Sequence, residues 1–138
     1  ALMFDKTTLF PDAISTLKKL KLEGIKLALV TNGASEAQRA KINKFDLEQY
    51  FLHVQIEGEA GVGKPELQAY KIAMEKLNVV ATETWMVGDS LPDVYAAANA
   101  DCGKTIIVRN LTVPAWVERV EKLESLEQML ESVEKQLI

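Results

Sequence analysis

The chain has 138 residues, 48% of them hydrophobic, the size of one domain with a core of its own. Its formal charge of -4 and pI near 5.1 weigh against nucleic acid or an anionic membrane as partner, since both favour clustered Lys and Arg. One cysteine, Cys102, excludes an internal disulfide, no apolar run is long enough to span a bilayer, and Asp5 and Lys6 interrupt any leader-like stretch at Ala1, so a cytoplasmic protein is expected.

Pro11-Asp12 opens a first helix, with Ile14, Leu17 and Leu20 at helical spacing, Lys18, Lys19 and Lys21 facing elsewhere, and Gly24 as the stop. Ile25 to Val30 is a short apolar run that ends in Thr31-Asn32-Gly33, the pattern of a buried strand entering a tight loop. Ser35 with Gln38 has the capping-box spacing, and predicts a second helix to about Lys44. Leu47, Tyr50 and Phe51 anchor the following connection. His53 to Ile56 reads as a weaker strand, and Gly58 to Gly63 as a glycine-containing loop.

Pro65 suits the first turn of a third helix, whose apolar stripe is Leu67, Tyr70, Ala73, Met74 and Leu77 and whose end is Asn78. Trp85-Met86-Val87 is a strand running into Gly88-Asp89, Pro92 starts a helix through Val94, Ala97 and Ala98, and Thr105 to Val108 is the last strand. The tail from Ser125 carries Leu126, Met129, Leu130 and Val133 as an amphipathic helix. Strands alternating with helices imply crossover units, hence a mostly parallel sheet with helices on both faces. Ligands of such sheets bind beyond the carboxyl ends of the strands, which here carry Thr31, Lys64 and Asp89.

Phosphate chemistry needs donors for nonbridging oxygens, a cation, and an oxygen-rich site for magnesium. The Thr31 hydroxyl with the backbone N–H groups of Asn32 and Gly33 can converge on one anion, although a Thr-Asn-Gly triplet is most often turn chemistry. Lys64 sits at a helix start, where the dipole disfavours a cation unless an anion is also present; a solvated lysine is the ordinary alternative. Asp89 and Asp93 lie four apart at a strand-to-helix junction, positioned to share a cation or a lysine, or to cap the helix. Gly58 to Lys64 imitates a nucleotide phosphate loop until Pro65 replaces the required Ser or Thr. Trp85 and Tyr70 read as core or near-core aromatics, and His53 as a strand residue.

Taken in order, Leu29-Val30-Thr31-Asn32-Gly33, Gly63-Lys64-Pro65 and Met86-Val87-Gly88-Asp89-Ser90-Leu91-Pro92-Asp93 resemble the haloacid dehalogenase (HAD) superfamily. Phe10-Pro11-Asp12 and Tyr50-Phe51 agree with its usual connections. The resemblance implies a HAD-like Rossmannoid three-layer α/β/α sandwich with a mostly parallel sheet. It also implies that Thr31 binds phosphoryl oxygens, Lys64 neutralises nucleophile and phosphate, Asp89 holds Mg²⁺, and Asp93 supports metal or lysine.

The family's nucleophile motif, Asp-x-Asp-x-Thr after a central strand, has no full counterpart. Phe4-Asp5-Lys6-Thr7-Thr8-Leu9 imitates it but lacks one residue before the second threonine. Only four residues precede Asp5, against the roughly five or six of a typical strand. Ala1 to Phe10 is therefore expected to be the return from an inserted cap. Residues 1–138 would then form one core domain that is incomplete at its N-terminus, with the central strand and nucleophile supplied by a second chain or segment. The functional expectation is Mg²⁺-dependent hydrolysis of a small phosphate ester through an aspartyl-phosphate, the isolated chain being inactive if the nucleophile lies outside it and Asp5 does not serve. The alternatives are a metal-independent dehalogenase and a noncatalytic binding or assembly module.

Overall fold

A computed structural model describes residues 2–4, 13–88, 95, 100–102, 104–107 and 120–122. Six strands form one parallel sheet in the order β3-β2-β1-β4-β5-β6: β1 Leu2–Phe4, β2 Leu27–Thr31, β3 His53–Ile56, β4 Trp85–Gly88, β5 Lys104–Ile107 and β6 Val120–Lys122. Four α-helices are bounded among the described residues, α1 Ala13–Leu22, α2 Ser35–Lys44, the single-turn α3 Glu57–Ala60 and α4 Leu67–Leu77, with 3-10 turns at Glu48–Tyr50 and Ala81–Glu83.

Strand β2 shows why both faces are covered. Its five residues are all buried, and they alternate between two cores. Leu27 and Leu29 pack with Leu17 and Leu20 of α1 and Ile42 of α2, while Ala28 and Val30 pack with Ala69, Tyr70, Ala73, Met74 and Leu77 of α4. A period-two strand between two period-3.6 helical stripes yields three layers. The first two crossovers, through α1 and α2, use one face, and the chain then returns through α4 on the other, which reverses the direction of strand addition. The reversal lies between β1 and β4, where such sheets leave a crevice at their carboxyl edge.

Two helix ends rest on left-handed residues. Gly24 at φ +78° lets the Ile25 N–H donate to the Leu20 carbonyl at 3.1 Å, and Asn78 at φ +55° does the same for Val79 and Met74 at 3.1 Å.

The vacancy expected at the centre of the sheet is not found. Leu2–Phe4 fills it, with Leu2, Met3 and Phe4 aligned on Leu27, Ala28 and Leu29 on one side and on Trp85, Met86 and Val87 on the other. Both neighbours would otherwise leave N–H and C=O groups unpaired, and three apolar residues satisfy them despite being fewer than a typical strand holds. Met3 is fully buried. Other differences are local. Strand β2 begins two residues later than Ile25, Glu57–Ala60 is helical where a loop was expected, and β6 was not anticipated. Pro65, joined to Lys64 by a cis peptide bond, precedes α4, whose N-cap is Glu66. Of the predicted helix from Pro92 only Tyr95 is described, and it is helical; the predicted helix from Ser125 lies outside the described residues, as do Val108, Pro11 and Asp12. No helix among the described residues is long and apolar enough to cross a membrane.

Candidate active site

Parallel pairing brings the carboxyl ends of β2 and β3 level, with Thr31 beside Ile56. Thr31 closes β2 and is 2% exposed. Its Oγ1 lies 3.4 Å from the Asn32 carbonyl oxygen, a long bond that holds the hydroxyl only weakly. The loop after β3 returns to this point at Lys64, itself only 6% exposed.

The junction between the two loops is made by the Asn32 side chain. Its Nδ2 donates to the Lys64 carbonyl at 2.9 Å, and its Oδ1 accepts from the Lys64 N–H at 2.9 Å. Gly63 permits this approach, because a Cβ there would stand 2.8 Å from Asn32 Oδ1 and press into the Glu57 carboxylate. A second tie lies beside it. The Gly33 N–H donates to Glu57 Oε1 at 3.1 Å, and the Gly33 carbonyl accepts from the Gly58 N–H at 3.0 Å.

A third tie replaces the expected capping box. Ala34, not Ser35, is the N-cap of α2 and makes no side-chain cap; Ser35 is already helical and donates from Oγ to Glu59 Oε2 at 2.6 Å. Arg39, one turn further on, grips the same carboxylate in a fork, Nε to Oε2 at 2.9 Å and Nη2 to Oε1 at 2.8 Å. The hydrogen bond from Arg39, then that from Ser35, holds the Glu59 carboxyl at about 2, and Glu59 in turn raises the Arg39 guanidinium.

Thr31, Asn32, Gly33 and Lys64 are thus brought together, but not with the roles expected of each. The Gly33 N–H, expected to face an anion, is engaged by Glu57, and the Asn32 amide is spent on the Lys64 main chain. Asp89 and Asp93 lie outside the described residues; Asp89 is the residue that follows Gly88, the end of β4. Among the described residues no group of three or more His, Cys, Asp or Glu is arranged to hold a metal ion. Glu57 and Glu59 were not picked out from sequence. Their only signal was an acidic pair inside a glycine-containing segment after a strand.

Away from this edge, a groove of ≈ 260 Å³ opens at the start of β2, around Leu27, Tyr50 and Leu52. Lys21 crosses it to donate to the Gln49 carbonyl at 2.6 Å. His53 pairs with Gln55 Oε1 at 3.1 Å, Tyr70 is fully buried in the α4 core, and half-buried Trp85 packs against the other core.

Residues 1–101 match the model of the haloacid dehalogenase-like hydrolase family. The chain is 40% identical over 90 residues to the glyceraldehyde 3-phosphate phosphatase of Pyrococcus furiosus, a match covering 64% of this chain and 38% of that protein. It is 38% identical over 82 residues to the phosphoserine phosphatase of Thermus thermophilus, covering 59% of this chain and 33% of that one. The crystal structure of a HAD phosphatase from Thermococcus onnurineus superimposes with a TM-score of 0.81 at 30% identity, covering 91% of this chain and 58% of that one. The chain therefore spans roughly a third to three-fifths of the length of these relatives. The family match across residues 1–101 and the superposition on a HAD phosphatase agree, and the chain belongs to the haloacid dehalogenase-like hydrolases.

Proposed function

We propose that the protein carrying this chain is a magnesium-dependent phosphatase that cleaves a small phosphate ester through an aspartyl-phosphate. The observation that carries this reading is the joining of Lys64 to Asn32, the residue after Thr31, at the carboxyl edge of the sheet: the main chain of a buried lysine is tied to the loop that directly follows a buried hydroxyl. The hydroxyl would donate to a nonbridging oxygen while the ammonium offsets charge on the transferring group. A phosphoryl group both accepts hydrogen bonds from an ammonium and opposes its charge.

The attacking carboxylate belongs after the central strand, and in this chain the residue following β1 is Asp5. Its oxygen would bond to phosphorus as the ester P–O bond breaks and the leaving oxygen takes a proton. Water would then attack the same phosphorus, yielding inorganic phosphate and the free carboxylate. Asp5 follows β1 and Asp89 follows β4 in sequence, and two such carboxylates would supply the hard oxygen donors that magnesium takes. Bound there, the ion would supply charge neutralisation at the phosphoryl oxygens. Asp93 would support Asp89 or Lys64. The relatives named above act on different small phosphate esters, which supports the substrate class and leaves the particular ester to be measured.

The test is release of inorganic phosphate by the full-length protein from p-nitrophenyl phosphate and a panel of small phosphate esters. Release should require Mg²⁺, stop with chelator, and fall at least about 10²-fold in Asp89→Asn and Lys64→Ala. Turnover that survives Asp5→Asn would hand the nucleophile to a carboxylate outside this chain. Halide release from a small haloacid without metal would favour the dehalogenase reading. Phosphate binding without turnover would favour a binding module.

A further inference from the structure

We infer that Asn32 is a positioning residue, which sets the reach of the Lys64 ammonium by holding the main chain of Lys64 at both its N–H and its C=O. The inference deepens the phosphatase reading and rests on it for the role of Lys64. The geometry is that of a ladder pair built from one side chain: two bonds of 2.9 Å in opposite directions across 32 residues of sequence. Lys64 lies in no strand or helix, so these bonds supply what secondary structure supplies elsewhere. Gly63 adds an independent sign that the approach is specified, because any larger residue before Lys64 would collide with Asn32 Oδ1.

Only an amide fits. Aspartate accepts from the Lys64 N–H but turns an oxygen on the Lys64 carbonyl, and an apolar residue abandons both groups. A lysine stem has four rotatable bonds, so a floating Cα would disperse the ammonium and weaken its action where charge develops. The effect should therefore fall on kcat rather than on KM, and only while Lys64 is present.

The test is a double-mutant cycle in the full-length protein, combined with amide hydrogen exchange. Asn32→Ala should lower kcat about 10- to 100-fold with KM changed by less than about 3-fold, and in a Lys64→Ala background should cost less than about 3-fold more. Equal losses in both backgrounds, or a rise in KM alone, would overturn the inference and make Asn32 a direct ligand or a general support. The exchange arm needs no turnover. The Lys64 amide should exchange at least about 10-fold faster in Asn32→Ala, while amides of β2 and β3 stay protected, and an unchanged Lys64 amide overturns the inference. If the wild type hydrolyses no phosphate ester, the phosphatase reading fails and the exchange arm alone decides whether Asn32 holds Lys64. Should Asn32→Ala not fold, Asn32→Asp replaces it: protection of the Lys64 N–H retained and kcat reduced support the inference, and full kcat contradicts it.

Discussion

Replacing Gly58 by alanine should separate the two loops that build the candidate site. Gly58 lies within α3, where alanine is ordinarily the better residue by about 1 kcal/mol. Here a Cβ would stand 2.9 Å from the Ser35 nitrogen, 3.1 Å from the Gly33 carbonyl oxygen and 3.2 Å from the Ala34 Cα. All three are backbone atoms, so no side chain can swing aside, and relief requires moving the segment after β2. Overpacking of this kind costs about 1–3 kcal/mol. Loss of the 3.0 Å bond from the Gly58 N–H to Gly33 adds about 1 kcal/mol. After the propensity gain, the net destabilisation is about 1–3 kcal/mol. For a chain of this size that lowers the unfolding midpoint by roughly 3–10 °C. Thermal and urea unfolding of the full-length protein measure it, with Gly61→Ala as comparison: Gly61 sits at φ +82° with nothing within 4 Å of a Cβ, so that substitution carries backbone strain alone. Gly58→Ala should also depress phosphate turnover, whereas Gly61→Ala should spare it. A Gly58→Ala protein as stable as the wild type would refute the close approach of these loops.

Met3→Ala, which empties a fully buried position in β1, should cost about 2–5 kcal/mol in urea unfolding, whereas a flexible leading segment would register no loss. Gln55→Met keeps volume but removes the buried 2.6 Å bond from Gln55 Nε2 to the Ala69 carbonyl, and should cost about 1 kcal/mol by the same assay. Glu59 has a folded-state value of about 2, below its ordinary 4.5, so it contributes stability that is present above 4.5 and lost as pH falls towards 2. The urea-midpoint gap between the wild type and Glu59→Gln should accordingly close across that window and shrink with added salt; a gap constant from pH 7 to pH 2 would contradict the Arg39–Glu59 fork.

Much of the fold was legible because local signals and core packing coincide. The stripe of α4, the run that became β2 and the stops at Gly24 and Asn78 each announce themselves within a few residues. The central strand was misjudged because a short leading run and an incomplete motif are local criteria: Leu2–Phe4 gains its standing from β2 and β4, which are more than twenty residues away. The capping box failed for a related reason. Ser35 has the right spacing to Gln38, but Glu59 offers its hydroxyl a partner from another loop. At the candidate site, residue types drew attention to Thr31 and Lys64, since each closes or follows a strand. The use made of Asn32 and Gly33 was not legible, because it depends on which loop comes to rest against which. Asn32 turns its amide to Lys64 and Gly33 turns its N–H to Glu57 only once β2 and β3 stand side by side.

Assignment of phosphate to the Thr31–Lys64 edge is tested most directly by titrating inorganic phosphate with Mg²⁺ into nitrogen-labelled full-length protein and following the backbone amide resonances. The amides of Thr31, Asn32 and Lys64 should shift in a saturable manner while those of Lys21, Leu27 and Leu52, around the groove at the opposite edge, stay in place. Shifts confined to that opposite groove, or none at millimolar phosphate, would contradict it.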